Sequence, residues 1–280
     1  MKQDRSEAGA ASEKALRLNR NQDLSGRENN MKTDKILSTR THKIIYQVGD
    51  TAVKVFDKNF PKADILNEAL NQARVEETGL PIPKVQGVNV TEDGNWCIIS
   101  DYIEGKTLEQ IMDEDPDNIE KYMREFVALQ LEVHSKKMPK LNKLKDKWNG
   151  KISESKELNA TTRYELHTRL SSMPKHDKVL HGDFNPSNII VDSKGKFYIL
   201  DWSHATQGNA SADAATTYLL FVLKDQKLAD LYLDTFCEMS DTAKQYVQRW
   251  MPITAASRLN KKLPGERELL ESWLDVVEYE

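Results

Sequence analysis

The chain is poor in cysteine, has no excess of positive charge and contains no long apolar run. Cys97 and Cys237 lie far apart and fit neither a disulfide framework nor a zinc-ligand spacing, so we expect a reducing cytoplasm. The net charge of -4 argues against nucleic acid as a partner, because phosphate-backbone binding demands a basic excess. The longest nearly apolar run, around 218–223, is far shorter than the roughly 20 residues that cross a bilayer, and we expect no membrane insertion.

The composition that remains is that of an ordinary globular protein. A length of 280 residues suits one large domain or two lobes that share a cleft. Apolar residues make up 39% and charged residues 30%, with both signs interspersed. Residues 1–30 carry few large apolar side chains and cannot offset their ordering entropy by burial, so we predict a disordered tail or extension there.

Alternating residues near the start of the folded part predict a hairpin and a helix. Strands are predicted at 44–48 and 51–56, joined by a tight turn at Gly49 and its neighbour. Asp64 is placed to cap a helix whose apolar residues recur at helical spacing until Gly79. This region therefore predicts a small antiparallel sheet with one helix.

The pattern changes from strands to helices along the chain. A further strand is predicted at 96–99, after which long amphipathic helices dominate, notably at 118–135 and from 213 to the end. The only clear strands of the second half are predicted at 189–191 and 197–200.

The strongest chemical pattern surrounds that second hairpin. The segment 181–188 reads His-Gly-Asp-Phe-Asn-Pro-Ser-Asn and leads into the hairpin, and Asp201 follows it. With the hairpin centred on the turn at 194–195, Asn188 and Asp201 should face each other, roughly 5 Å apart at Cα. Amide and carboxylate oxygens are hard ligands that suit Mg²⁺, so the hairpin end is a candidate metal site.

Asp183 lies on the loop just before this candidate metal site. Gly182 and Pro186 constrain the loop, and Asp183 can reach the same space as Asn188 without being a ligand itself. It is then free to accept a proton from a hydroxyl. Any one of these residues could be ordinary turn chemistry, but the combination favours a catalytic site.

The two segments resemble the catalytic loop and the metal-binding segment of aminoglycoside phosphotransferases, choline kinases and other small-metabolite kinases, which are relatives of protein kinases. The matching segments are 181–188 and 199–202, and the resemblance extends over 35–280. It implies a bilobal, protein-kinase-like α+β fold. The N-terminal nucleotide-binding lobe, 31–103, would contain a small antiparallel β-sheet and one helix; the larger, mainly helical lobe, 104–280, would hold the catalytic and substrate sites.

The resemblance also implies roles for individual residues. Asp183 would orient or deprotonate the acceptor hydroxyl, while Asn188 and Asp201 would hold Mg²⁺ on the nucleotide phosphates. His181 would brace the catalytic loop. Asp213 either resembles the aspartate that supports this loop from behind or is an exposed helix cap.

The first lobe contains candidate nucleotide-binding residues. Lys54 lies on a predicted strand, where the resemblance places the lysine that binds the α- and β-phosphates, and Glu68 would hold it by an ion pair. A surface lysine and a solvated glutamate are the alternatives. The segment at 100–105 resembles the family's purine-binding hinge, and the Asp101 carbonyl and the Ile103 amide are its candidate contacts.

The predicted phosphate-binding turn at 38–42 departs from the protein-kinase pattern because it contains no glycine. Ser38 and Thr39 could cradle phosphate through hydroxyls and main-chain amides. The choice between ATP and GTP therefore stays open. His134, on a predicted helix, is either a packed core histidine or a site residue.

The function implied by the resemblance is transfer of the γ-phosphate of ATP or GTP to a hydroxyl of an aminoglycoside, amino alcohol or sugar. A nucleotide-binding pseudokinase or regulatory protein is the alternative, and a protein kinase is another, although no A-P-E segment is evident. The acceptor site is expected within 140–175 and 205–280. Acidic residues after 265 would favour a cationic acceptor, or they form a solvated helix face: Glu266, Glu268, Glu271, Asp275, Glu278 and Glu280. The oligomeric state stays open.

Overall fold

The computed structural model of the chain describes residues 35–263 and 265–274. The predicted tail at 1–30 and the acidic residues Asp275, Glu278 and Glu280 lie outside the described residues. Within them, strands dominate the first part and helices the remainder, so the predicted α+β class is confirmed. No helix in the described part of the chain is both long and apolar enough to span a membrane.

A five-stranded antiparallel sheet forms the first part, in the spatial order β1-β2-β3-β5-β4. Its strands are β1 (Lys35–Arg40), β2 (Lys43–Val48), β3 (Thr51–Phe56), β4 (Val85–Val90) and β5 (Trp96–Asp101). The predicted β2–β3 hairpin is confirmed, and Gly49 adopts the positive φ of 57° that its tight turn requires. Strands β1 and β4 were not predicted as separate strands, because their side chains are mostly exposed or half-buried and give no clean alternation.

One helix, α1 (Lys62–Glu76), covers one face of this sheet. Ile65 and Ala69 pack against Phe56 of β3 and Ile98 of β5. The prediction that Asp64 caps the helix is wrong, because the helix begins two residues earlier and Asp64 lies within its first turn. A carboxylate there still interacts favourably with the helix dipole.

The helical part forms the large core of the molecule. Its helices are α2 (Leu108–Glu114), α3 (Ile119–Ser135), α4 (Leu144–Glu154), α5 (Ala160–Ser172), α6 (Ala210–Val222), α7 (Gln226–Ser240), α8 (Lys244–Gln248), α9 (Met251–Leu259) and α10 (Arg267–Ser272). The amphipathic pattern predicted α3 almost residue for residue. Its buried Phe126 packs against Phe184, with ring centroids 4.8 Å apart, so the core of this part reaches the predicted catalytic loop.

Five short strands surround that loop. They are β6 (Lys106–Thr107), β7 (Lys178–Leu180), β8 (Ile189–Val191), β9 (Phe197–Ile199) and β10 (Thr206–Gly208). The β8–β9 hairpin was predicted, whereas β6, β7 and β10 are only two or three residues long and leave no periodic signal. Pairing of β7 with β10 places the segment before the loop beside the segment after Asp201.

The register of the β8–β9 hairpin differs by one residue from the prediction. Ile189 pairs with Ile199, and the amide of Leu200 donates to the carbonyl of Asn188 over 2.8 Å. Asn188 therefore lies opposite Leu200, and not opposite Asp201 as predicted.

The hairpin loop explains this shift. The amide of Asp192 donates to the carbonyl of Lys196 over 3.0 Å, which leaves three residues in the loop, and Gly195 has a φ of 77°. Three-residue hairpin loops of this kind need a residue with positive φ in their last position, and glycine supplies it at the lowest cost. The sequence prediction had assumed a turn with an even number of residues.

Candidate active site

The loop that contains Asp183 is fixed by its backbone and by the core. Gly182 has a φ of 77°, and a Cβ at this position would lie 2.8 Å from the carbonyl oxygen of His204. Phe184 is buried, and Asn185 begins a single helical turn by accepting a hydrogen bond from the Ser187 amide over 3.1 Å. The backbone on both sides of Asp183 is thus held in place.

His181 connects this loop to the segment that carries Asp201. Its Nδ1 accepts from the Asp183 amide over 3.2 Å, so its Nε2 carries the proton and donates to the carbonyl of Leu200 over 2.8 Å. The ring is fully buried, with Trp202 4.6 Å away between centroids.

Asp213, on α6, supports the same loop from behind. It is 2% exposed and accepts hydrogen bonds from the amides of His181 (3.2 Å) and Gly182 (2.7 Å). Burial opposes its ionisation, but hydrogen bonds from His134 and from the Gly182 amide hold the pKa of Asp213 below its usual value. Of the two alternatives, the exposed helix cap is therefore wrong.

His134 is a packed core histidine and not part of the cleft. It is 2% exposed, and its Nε2 lies 3.0 Å from Asp213. It thus supports the catalytic loop only through Asp213.

Asp183 and Asn188 contact each other directly. The side-chain nitrogen of Asn188 donates to the carbonyl of Asp183 over 3.0 Å and to its carboxylate over 3.2 Å. Because the nitrogen is used in this way, the amide oxygen of Asn188 is the atom with capacity for a cation. Burial raises the pKa of Asp183, and the positive charge of Lys261 opposes that shift.

Asp201 occupies a strained backbone conformation beside two lysines. It has a φ of 59°, which is uncommon for a residue other than glycine and is often found at functional sites. Its carboxylate lies 3.2 Å from Lys43 Nζ and 3.5 Å from Lys54 Nζ. Burial opposes ionisation, but the two lysines hold the pKa of Asp201 far below its usual range.

Lys54 joins the first lobe to Asp201. It forms an ion pair with Glu68 on the buried face of α1 as well as with Asp201. Despite its burial, these two carboxylates raise the pKa of Lys54. The structure thus brings Lys54, Glu68 and Asp201 together, and the alternatives of a surface lysine and a solvated glutamate are wrong.

The other predicted nucleotide-binding residues lie apart from this cluster. Ser38 and Thr39 belong to β1, so they precede the turn at 41–42 and do not form the predicted loop. Asp101 ends β5, and its carboxylate accepts from the Lys84 amide over 3.0 Å, while Ile103 follows two residues later. Within the described part of the chain, no hydrogen bond or ion pair joins these four candidates to the catalytic loop or Asp201.

A pocket of about 520 Å³, including its open mouth, borders the catalytic loop at Gly182. Residues of α4, α6 and α9 line it together with His204. Most of the lining falls within the ranges expected for the acceptor site. Its charged side chains are mainly positive, and Lys147, Lys151 and Lys261 are among them.

The acidic residues near the end of the chain do not line this pocket. Glu266 makes two hydrogen bonds of 2.6 Å to Arg258, and Glu271 pairs with Arg267 on α10. Glu268 is exposed. The members that the structure describes therefore do not form the acidic acceptor surface that would favour a cation.

Five residues at the site were not singled out from the sequence: Lys43, Lys147, Lys151, His204 and Lys261. One signal was present, because Lys147 and Lys151 are four residues apart on one helix. Like charges at this spacing repel each other and destabilise the helix, so their presence indicates that another group interacts with them.

The family comparison agrees with this geometry. The model of the phosphotransferase enzyme family matches residues 37–250. No curated protein sequence matches the chain significantly.

Solved structures with low sequence identity share the fold. A thermostable variant of the aminoglycoside phosphotransferase APH(4)-Ia, in ternary complex with ADP and hygromycin B, has a TM-score of 0.63 at 13% identity, over 88% of this chain and 91% of that chain. The GDP complex of aminoglycoside 2'-phosphotransferase-IIIa has a TM-score of 0.59 at 16% identity, over 93% and 95%. A choline/ethanolamine kinase family protein from Mesorhizobium loti has a TM-score of 0.56 at 15% identity, over 90% and 87%.

These similarities confirm the predicted kinase-like α+β fold and the predicted resemblance. Because the family model covers more than half of its length, the chain belongs to the phosphotransferase enzyme family, as an enzyme of the kinase type.

Proposed function

We propose that this protein transfers the γ-phosphate of ATP or GTP to a hydroxyl of a small molecule, with Mg²⁺ as the metal ion. The observation that carries the proposal is the convergence, in one cleft, of the Asp183–Asn188 contact with Asp201 and the Lys54–Glu68 pair. Two structurally similar proteins were solved in complex with ADP and with GDP, which supports a nucleoside triphosphate as the donor.

Asp183 is the proposed catalytic residue. Its carboxylate is held by Asn188, and its backbone by His181 and by the fixed conformation of Gly182. Burial raises the pKa of Asp183, which makes the carboxylate a better proton acceptor. It would orient the acceptor hydroxyl and accept its proton as the new bond to phosphorus forms.

Asn188 and Asp201 are the proposed metal ligands. An amide oxygen and a carboxylate fit Mg²⁺, which prefers hard oxygen ligands and completes its octahedron with phosphate oxygens and water. When bound, Mg²⁺ supplies charge neutralisation on the phosphates.

Lys54 and Lys43 are the proposed phosphate-binding residues. Both ammonium groups face Asp201, so phosphate oxygens beside that carboxylate would lie within their reach. Ser38 and Thr39 at the end of β1, and the main-chain groups of Asp101 and Ile103 after β5, stay as proposed contacts to the phosphates and the purine. They belong to the proposed N-terminal lobe, 31–103, which would close over the catalytic lobe, 104–280.

A cytoplasmic location is also part of the proposal. Cys97 and Cys237 are both free thiols, as is usual for proteins in a reducing compartment.

The experiment that tests this function separates an enzyme from a nucleotide-binding regulator. Asp183→Asn should reduce single-turnover transfer by about 10²- to 10⁴-fold and leave nucleotide affinity unchanged, because its partner is the acceptor hydroxyl. Asp201→Asn should reduce transfer and also weaken Mg²⁺-dependent nucleotide binding in calorimetric titration. Asp117→Asn, an exposed residue far along the chain from the loop, serves as the control for loss of one carboxylate.

Two results would contradict the proposal. Full transfer by Asp183→Asn would show that the assigned base is wrong. A wild-type protein that binds nucleotide but phosphorylates nothing across a broad acceptor panel, proteins included, would favour a pseudokinase.

A further inference from the structure

The pocket beside the catalytic loop collects positive charge from two segments that are remote in sequence, α4 and the end of α9. Lys147 and Lys151 project from successive turns of α4, Lys261 follows α9, and Arg258 lies near the end of α9. Lys261 also lies 3.4 Å from Nε2 of His204, the residue that packs against Gly182. The positive side chains therefore line the same pocket as Gly182, the residue before Asp183.

Two acidic groups near this pocket are held by other partners. Asp213 is turned toward the catalytic loop, where the amides of His181 and Gly182 and the ring of His134 occupy its carboxylate. Glu266 neutralises Arg258 through two hydrogen bonds.

The three lysines have no such partner. Lys147 Nζ donates to the carbonyl of His204 over 3.3 Å, and Lys261 contacts the ring of the same residue. Within the described ranges, no carboxylate lies within ion-pair distance of Lys147, Lys151 or Lys261. These ammonium groups therefore have no ion-pair partner in the described ranges, and carboxylates attract them only from farther away, chiefly Asp183 for Lys261 and Asp64 for Lys147.

This arrangement has an energetic cost for the protein. Burial, followed by repulsion from Lys151 and Lys261, lowers the pKa of Lys147 to about 8. Burial and repulsion from Lys261 and Arg258 likewise lower the pKa of Lys151 to about 8. An anion placed between these groups would remove that cost, because it would favour their charged forms.

The remaining lining is suited to a small polar molecule. Thr254 is 2% exposed, and its hydroxyl has no hydrogen-bond partner in the described residues, so a polar group is available on the α9 side. Ser257 and Thr216 contribute further hydroxyls, and Trp148 contributes an aromatic wall.

We infer that this pocket binds the acceptor and that the acceptor carries an anionic group, a carboxylate or a phosphate ester, which Lys147, Lys151 and Lys261 bind while its hydroxyl faces Asp183. The inference rests on the proposed kinase function and gives its substrate class. A polycationic aminoglycoside or a simple amino alcohol would place positive charge against these lysines. The repulsion between like charges would weaken the binding of either acceptor.

The test compares acceptors that differ only by the anionic group. Ethanolamine is compared with serine, which adds a carboxylate, and a free sugar is compared with its phosphate ester. The anionic member should be phosphorylated more efficiently in at least one pair, and the two arms distinguish carboxylate from phosphate recognition. Lys151→Gln and Lys147→Gln should each raise the KM of that acceptor by about 10- to 100-fold, because charge-assisted hydrogen bonds are lost. Lys156→Gln, on the exposed surface just after α4, removes one charge outside the pocket and is the matched control.

A second measurement does not depend on turnover. Inorganic phosphate should raise the Tm of the wild type and of Lys156→Gln, but not that of the double variant Lys147→Gln/Lys151→Gln. Phosphate could also bind at the proposed nucleotide site, so the measurement is repeated with Lys54→Met added to each protein. The Tm shift should still be present with Lys147 and Lys151 and absent in the double variant.

The outcomes separate the two proposals. If neutral or cationic acceptors are phosphorylated best and the lysine variants leave their KM unchanged, the anionic class is wrong while the kinase function stands. If no acceptor of any charge is phosphorylated but the phosphate-dependent Tm shift follows the lysines, the anion site stands and the kinase function fails. Equal Tm shifts in all variants would overturn the anion site.

Discussion

Two groups of lysines lie near the catalytic loop and Asp201, and they differ in how their charge is balanced. In the first group, at the proposed nucleotide site, Lys54 and Lys43 contact the carboxylates of Glu68 and Asp201. The second group lines the pocket: Lys147 contacts the carbonyl of His204, Lys261 contacts the ring of the same residue, and Lys151 is repelled by Lys261. None of the three contacts a carboxylate of the described residues. The first group thus has ion-pair partners in the described residues, whereas the second has only attraction over longer distances, chiefly from Asp183 on Lys261.

The difference teaches how to interpret each group. Lys54 forms internal ion pairs that fix its position and keep it charged. This is expected of a residue that must be preorganised before its ligand binds. The pocket lysines are kept in an unfavourable environment, as is expected where a ligand supplies the missing charge. An unbalanced charge is therefore the better guide to an unknown ligand.

Breaking the balanced group should have the largest effect on activity. Lys54→Met removes the cation between Glu68 and Asp201 and leaves the two carboxylates facing each other. We expect the single-turnover rate of transfer to fall by about 10²- to 10³-fold, as when one preorganised electrostatic donor is lost. Glu68→Gln should have a smaller effect, because Asp201 still contacts Lys54. If Lys54→Met keeps the full rate, the first group is structural only.

A substitution at Asp213 tests the residue that supports the catalytic loop beside the pocket. Asp213→Asn keeps the size of the side chain but disturbs its hydrogen bonds to the amides of His181 and Gly182 and to His134. Because the group is buried, the free energy of unfolding should fall by about 1–3 kcal/mol. Urea denaturation measures this loss, with Asp117→Asn as an exposed control that should change stability by less than about 0.5 kcal/mol. An unchanged midpoint would mean that the catalytic loop does not depend on Asp213.

The first group of lysines and its carboxylate partners could be predicted in part from the sequence, because local patterns place Lys54 and Glu68. The β2–β3 hairpin and the amphipathic face of α1 place Lys54 and Glu68, and the His-Gly-Asp to Asn spacing places the catalytic loop. The register of the β8–β9 hairpin was harder to predict, because it depends on Gly195 adopting a positive φ in a three-residue loop.

The pocket group could not be predicted, because no local pattern brings it together. Lys147 and Lys261 come from segments that are remote in sequence, and in the sequence each looks like part of a solvated helix face. The acidic residues after 265 left two interpretations open for the same reason, since only the structure shows that Glu266 pairs with Arg258. Only the packing of α4 against α9 decides which charges face the pocket.

The smallest expected effect is a pH dependence of stability that belongs to the unbalanced group. The folded pKa values of Lys147 and Lys151 are about 8, whereas an unperturbed lysine has a pKa of 10.5. Between these values the unfolded chain binds more protons than the folded one, so the free energy of unfolding rises as the pH rises. Below about pH 8 both states are protonated and the cost of the buried charges is present in full.

Other groups titrate in the same range, so the measurement is a difference between proteins. The charged groups that act on Lys147 and Lys151 are Lys261, Arg258 and Asp64, and all three are kept in the double variant Lys147→Gln/Lys151→Gln. Urea denaturation of both proteins from pH 7 to 10 should show a steeper rise for the wild type. Saturating inorganic phosphate should reduce that excess, because a bound anion raises the folded pKa values of the two lysines. Parallel curves for the two proteins would mean that solvent screens these lysines and that their pKa values are not lowered in the pocket.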